Sequence, residues 1–324
     1  MNRGIYLFLG AIILLLILGY CTYRKFRQLE LYKNDKQTLK NYISQFNGKF
    51  LQKNSKYTIP FPIYYLNMDK DTDRLNTLMK EQETYINAKM TRIRGFNGKL
   101  IKNKQTDTID GVTFVNYYKD LSNSEIGCCV THLMAINAAW KNGDQMAMII
   151  EDDISFSSTA IIPDLQEIIN KAPDDWDILQ LASFGNDYDV APQTDIKYIK
   201  RKYPNDAFWS CGCYIINRRA MEKIIKVIKP HESKELYIIQ PIRAASFEEI
   251  NNCKMLKHTE FKGYPLYGVS DGYIYDLVNT YSTFPSLFIV NNSELESTMH
   301  SDHTDYHVAN ALTTAKRLEQ LYLK

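Results

Sequence analysis

The stretch "QMAMIIEDD", residues 145 to 153, narrows the possible folds more than any other part of the chain. Ala147, Met148, Ile149 and Ile150 form an apolar run without polar alternation, the pattern of a strand buried on both faces. Glu151, Asp152 and Asp153 follow at once, and like charges so close repel one another. Such a strand belongs inside a sheet covered by helices, where ligands sit at the carboxyl ends of the strands. If the strand continues, Glu151 and Asp153 lie on one side and Asp152 on the other. Converging carboxylates there suit a hard divalent cation, Mg2+ or Mn2+, with phosphate oxygens completing its shell. A solvated strand end or a helix cap is the plainer alternative.

The neighbouring segments repeat a strand–helix rhythm. Pro60 and Pro62 punctuate, and Ile63-Tyr64-Tyr65-Leu66 reads as a short strand. "DTDRLNTLMKEQETY" then places Leu75, Leu78 and Met79 on one helical face, with Asp71 or Thr72 as N-cap. "MTRIRGFNG" supplies a strand and turn, and "SEIGCCVTHLMAINAAWKNG" a helix starting near Ser122 or Ser124. Further on, "PDLQEIINKAP" is a helix, "WDILQLAS" a strand, and "CGCYIINRRAMEKIIKVIKP" a strand followed by a helix; "PSLFIVNNS" is a late strand. Strands alternating with helices predict an α/β domain with a mostly parallel central sheet, spanning residues 57–324.

Two segments precede that domain. Residues 4–23, "GIYLFLGAIILLLILGYCTY", carry no charge and approach the roughly 20 residues needed to cross a bilayer, so residues 1–23 are expected to form a single transmembrane anchor. Residues 24–56 read as a polar stem. Arg24, Lys25 and Arg27 favour a cytosolic domain under the positive-inside rule, whereas the Asn291-Asn-Ser sequon suits a lumenal, Golgi-type one; the side stays open. The charge balance, 39 basic against 37 acidic residues for a net +2, argues against a nucleic-acid binder. Six cysteines without paired spacing form neither a disulfide framework nor a zinc motif.

Asn67 and Arg74 follow the first strand. They either line a nucleotide pocket, with Arg74 reaching a phosphate, or close a turn and pair with Asp71. Glu125 and His132 lie about two helical turns apart, and a histidine among Val130, Leu133 and Ile136 is ordinarily a hydrogen-bonded core residue. "STMHSDHTDYH" spaces His300, His303 and His307 so that a helix would align them, with Asp302 and Asp305 between.

Taken in order, "PIYYLNMDKDTDRLNTLMKE", "EIGCCVTHLMAINAAWKNGDQMAMIIEDDISF", "WDILQLAS" and "CGCYIINRRAMEKII" resemble glycosyltransferase family 25, which contains lipopolysaccharide-type glycosyltransferases and procollagen galactosyltransferases. The resemblance runs from about residue 60 to residue 290, with Thr131 where the family has Ser and Cys213 where it has Gly. It implies a GT-A-like nucleotide-sugar-binding domain and an inverting hexose transfer from a UDP-sugar, with a divalent cation such as Mn2+. Carried over by position, Asp153, then Glu151, would hold the metal, with His300 the late histidine completing its shell. Asn67, Arg74, Glu125, His132 and Asp152 would border the donor. An inverting transfer also needs a carboxylate to take the acceptor's proton; Asp271 in "GVSDGYIYD" is the candidate, with Asp177 a lesser one and a helix cap the plainer role for Asp271. The acceptor would be a glycan or a collagen-like hydroxylated protein. A metal-dependent phosphodiesterase or nuclease, and an inactive membrane-tethered carbohydrate-binding relative, are the rival functions.

Overall fold

The apolar run becomes an interior strand of a seven-stranded sheet. A computed structural model describes residue 30 and residues 33–52, 55–103, 108–114, 122–184, 195–201, 208–228, 237–239, 270–290 and 304–323. In chain order, helix α1 (33–52) leads to β1 (Tyr57–Thr58), β2 (Ile63–Asn67), α2 (Thr72–Tyr85), β3 (Ile86–Asn87) and β4 (Met90–Arg94). A 3-10 turn at Gly98–Leu100 precedes β5 (Thr108–Ile109), β6 (Val112–Phe114), α3 (Asn123–Lys141), β7 (Met146–Glu151) and β8 (Ile154–Ser155). Then come α4 (Leu165–Asn170), β9 (Ile178–Phe184), β10 (Lys197–Lys200), β11 (Trp209–Asn217), α5 (Arg218–Ile228) and β12 (Tyr237–Ile239). The chain closes with α6 (Ser270–Tyr275), β13 (Thr280–Phe284), β14 (Ile289–Val290) and α7 (Thr304–Tyr322).

The main sheet has the order β10-β13-β9-β11-β7-β2-β4. β4, β2 and β7 run parallel, as do β13 and β9, but β11 is antiparallel to both β7 and β9, and β10 is antiparallel to β13. The sheet is therefore mixed rather than mostly parallel. Apolar patterning shows that a strand is buried on both faces but not which way it runs, so β11 between β7 and β9 was beyond its reach.

Both faces are covered. Along β2, Ile63 and Tyr65 enter one core with Met148, Ile150, Leu181 and Ile215, while Tyr64 enters the other with Ile149, Tyr214 and Ile216. This is the period-two alternation of a strand with two buried sides. α3, α5 and α6 pack on the second core; α2, α4 and α7 on the first. Residues 33–52, expected as part of a polar stem, form a helix whose Leu39 and Phe46 are fully buried in that first core. The expected membrane anchor is corrected as well: among the described residues no helix is long and apolar enough to cross a membrane. The apolar run 4–23 and the sequon at Asn291 lie outside the described residues.

Candidate active site

The register of the three parallel strands brings the site together. Leu66 pairs with Glu151 and Asn67 with Arg94, so the carboxyl ends of β2, β4 and β7 share one edge. Beyond β2 the chain turns and enters α2, whose first turn carries Arg74 back over that edge. Arg74 Nε lies 2.9 Å from Asp152 Oδ1, and its Nη2 donates to Asp153 Oδ2. Asn67 Nδ2 donates to Asp152 Oδ2 at 2.7 Å and to the Asp71 carbonyl at 3.0 Å. The positive charge facing Asp152 and Asp153 is thus one guanidinium, hydrogen-bonded to Asp153 and in ion-pair contact with Asp152.

Glu151 turns elsewhere. Its Oε1 lies 3.2 Å from His132 Nε2 and 3.9 Å from Cys128 Sγ. His132 is fully buried, and its Nδ1 sits 3.3 Å from the Tyr214 hydroxyl. His132 is the hydrogen-bonded core residue expected of its apolar surroundings; it touches the acidic triplet through Glu151 and is absent from the cavity wall.

Charge and burial set the protonation of the group. Burial pushes Asp152 up to about 6 and Asp153 up to about 7, against the pull of Arg74. Burial opposes the Arg74 charge too, but Asp153, Asp152, Glu151 and Asp71 together hold its pKa above the ordinary arginine value. At Glu151 burial raises the pKa, but His132, Arg74 and His307 outweigh it and hold the carboxyl below its ordinary value. Among the described residues, His307 on α7 adds a smaller pull on Glu151; His300 and His303 lie outside the described residues. Two buried oxygens at this edge, Asp153 Oδ1 and Asn67 Oδ1, have no hydrogen-bond partner among the described residues. Both are hard oxygen atoms, the kind that Mg2+ and Mn2+ take as ligands.

The edge opens into a cavity of about 470 Å³. Its walls are the Asn67–Asp71 turn, Arg74, the segment from Arg94 to Lys99, the face of α3 carrying Ser124, Gly127 and Cys128, and then Glu151 and Asp152. Two glycines let the 3-10 turn lie directly on α3. A Cβ on Gly98 would fall 1.7 Å from the Asn123 carbonyl oxygen, and one on Gly127 would fall 2.8 Å from that of Phe96. Arg94, Phe96, Lys99 and Cys128 were missed as wall residues, although "RGFNGK" directly after a strand, pairing glycines with basic residues, was the available signal.

Other expected residues take different places. Glu125 closes a capping box: it accepts from the Ser122 amide at 2.7 Å, while Ser122 Oγ accepts from the Glu125 amide at 3.1 Å. It fixes the start of α3 and is absent from the cavity wall. Asp271 is buried near the beginning of α6, and its two oxygens accept from the Ser210 and Gly272 amides, each at 3.0 Å. Ser210 adopts φ 100, a region that favours glycine, within an irregular stretch of β11. Next to Asp271, Ser270 Oγ lies 3.7 Å from Cys128 Sγ, which links α6 to the cavity wall. Asp177 is fully buried under Arg219 and Lys223 and accepts from the Asn279 amide, so it ties β9, α5 and the start of β13 together, away from the cavity.

The family described as Glycosyltransferase family 25 (LPS biosynthesis protein) matches residues 61–239, a span holding Asn67, Arg74, Cys128, His132 and the acidic triplet. Procollagen galactosyltransferase 1 of Danio rerio is 23% identical over 176 residues, covering 51% of this chain. The aligned region spans only 28% of that relative's length.

Proposed function

The chain belongs to glycosyltransferase family 25, and from that premise we propose that it moves a hexose, galactose or glucose, from a UDP-sugar to a hydroxyl of a glycan or hydroxylated protein. The transfer inverts the anomeric carbon, in a GT-A-like site at the shared edge of β2, β4 and β7. The observation that carries this reading is the cavity at that edge, whose wall includes Asn67, Arg74 and Asp152, with Arg74 paired to both Asp152 and Asp153.

In this reading the donor lies along the wall from Asn67 to Lys99. Arg74 is held in place by Asp152 and Asp153, so its fork is oriented before the donor arrives and needs little reorganisation as charge grows on the leaving diphosphate. Arg94 and Lys99 add positive charge on the same wall. Asp153 Oδ1 and Asn67 Oδ1 would hold a divalent cation, which when bound supplies charge neutralisation for the diphosphate. Glu151, engaged by His132, keeps its negative charge beside Cys128 and shapes the floor. Asp271 takes the proton of the acceptor hydroxyl as that oxygen bonds to the anomeric carbon and the bond to the diphosphate breaks. Asp271 lies outside the cavity wall as described, with its carboxylate held by the Ser210 and Gly272 amides.

The test is UDP release by the full chain supplied with UDP-galactose or UDP-glucose, Mn2+ and glycan or hydroxylysine-peptide acceptors. Acceptor-dependent release is expected, with a drop of at least about a hundredfold in Asp271→Asn, the lower bound for a general base. Cleavage of a phosphodiester with no release from any nucleotide sugar would overturn the reading in favour of a phosphodiesterase. Clean glycan binding without turnover would do so in favour of a carbohydrate-binding relative.

A further inference from the structure

A soft sulfur, an imidazole and a carboxylate meet on one wall of the cavity. Cys128 Sγ, His132 Nε2 and Glu151 Oε1 all lie within 4.8 Å of one another, with 3.2 Å between nitrogen and oxygen and 3.9 Å between sulfur and oxygen. In a tetrahedral zinc site, metal–ligand bonds of about 2.0–2.3 Å place neighbouring donor atoms about 3.3–3.6 Å apart. The nitrogen–oxygen side already has that length, the sulfur–oxygen side exceeds it by a few tenths of an ångström, and the sulfur–nitrogen side is at most 4.8 Å, so the sulfur must move inward for the three donors to close on an ion.

The support behind the triangle fits as well. Cys128 and His132 are successive-turn neighbours on α3, and Glu151 ends β7, so two packed elements fix the donors. His132 Nδ1 faces the Tyr214 hydroxyl, which can accept the Nδ1 proton and leave the Nε2 lone pair for a metal. Metal-binding histidines ordinarily have an outer partner of this kind, which fixes ring and tautomer. Cys128 and Glu151 line the cavity, so a fourth position faces open space and can take a water. Asp152 and Asp153 are turned away toward Arg74, and their hard oxygens form a separate environment.

We infer that Cys128, His132 and Glu151 form a binding site for a thiophilic divalent cation of the Zn2+ class, distinct from the hard-oxygen position at Asp153. The thiol releases its proton to solvent as sulfur coordinates, and His132 and Glu151 bind in their neutral and ionised forms. Binding does not depend on the identity of the donor sugar or on turnover.

The test uses the reduced, metal-free full chain titrated with Co2+, which reports thiolate ligation by a charge-transfer absorption, followed by Zn2+ to displace it. The expected results are a one-site absorption that Zn2+ bleaches, its loss in Cys128→Ser, and its persistence in Asp153→Asn. Tyr214→Phe should keep all three donors yet weaken the affinity by about tenfold or more, as loss of an outer partner does. Zn2+ should also slow alkylation of Cys128 in the unmodified chain, a readout that needs no variant to fold. An absent absorption, an absorption undiminished in a folded Cys128→Ser chain, or alkylation of Cys128 unaffected by Zn2+ would each overturn the assignment.

Discussion

Two buried carboxylates, Asp152 and Asp153, share a single guanidinium, and each has a pKa lifted by burial despite that partner. Removing the arginine leaves both acids without their bonded cation, the situation in which a buried pair costs most. Arg74→Ala should lose about 3–5 kcal/mol of stability near neutral pH, measured by denaturant unfolding. The loss should shrink in acid, where both carboxyls are neutral and need no cation. Arg74→Lys keeps the charge but not the fork, so it should recover only part of the stability. Asp276 offers a pH test outside the site. It pairs with Arg201 at 3.2 Å, and burial lifts its pKa to about 6. A raised folded-state pKa means the native chain holds this proton longer than the unfolded chain does. Its contribution to stability is therefore whole below about pH 4 and is lost as pH rises through about 6. Asp276→Asn should flatten the fall in unfolding free energy across that window, and an unchanged slope would remove Asp276 as its source. Arg74 and the triplet were each visible in the sequence, but their pairing was not. They are about eighty positions apart, and helical spacing offered Asp71 as a nearer partner.

Element boundaries were legible wherever burial periodicity and caps coincide. β2, α2, β7 and α5 fall close to their expected places, since each has an unambiguous apolar pattern, and α3 begins at the capping box that Ser122 and Glu125 spell out. Strand direction was not legible, because β11 has the same apolar pattern whichever way it runs. The family resemblance offered Glu125 only as a neighbour of the donor, whereas its carboxylate accepts from the Ser122 amide and caps α3. The contact between the 3-10 turn and α3 shapes the cavity, and it depends on Gly98 and Gly127. Gly127→Ala would set a methyl group against the Phe96 carbonyl at 2.8 Å, where backbone rather than a flexible side chain must yield. The expected result is a loss of about 1–3 kcal/mol from overpacking, together with weaker donor binding as the turn moves away from α3. Ser122→Ala should cost about 1 kcal/mol through the lost cap and leave the cavity wall in place. Donor KM measured beside stability separates the two, because only the glycine variant should change both.

At the scale of the whole molecule, the first core depends on segments from both ends of the described chain. α1 packs on the end of α2, where Phe50 meets Tyr85 with ring centroids 5.0 Å apart and Asn47 accepts from the Tyr85 hydroxyl. α1 also reaches α7, where burial and then the Glu319 carboxylate raise the Tyr42 phenol above its ordinary value. α7 in turn adds Leu312, Ala315 and Leu318 to the same core and carries His307 to within electrostatic reach of Glu151. A stem reading followed from the many Lys, Gln and Asn residues between 24 and 56. Within that segment, residues 33–52 form a helix whose Leu39 and Phe46 are fully buried in the first core while its other faces are polar. Phe46→Ala would leave a void beneath a helix that closes the sheet, at a cost of about 3–5 kcal/mol for a buried phenylalanine. A detachable stem would lose nothing by the same change, so thermal or denaturant unfolding decides between the two. The loss should also reach the site through α7. A chain with Phe46→Ala should show faster hydrogen exchange in α7 as well as in α1, whereas exchange confined to residues 33–52 would mean that the helix caps the core without bracing the element that carries His307.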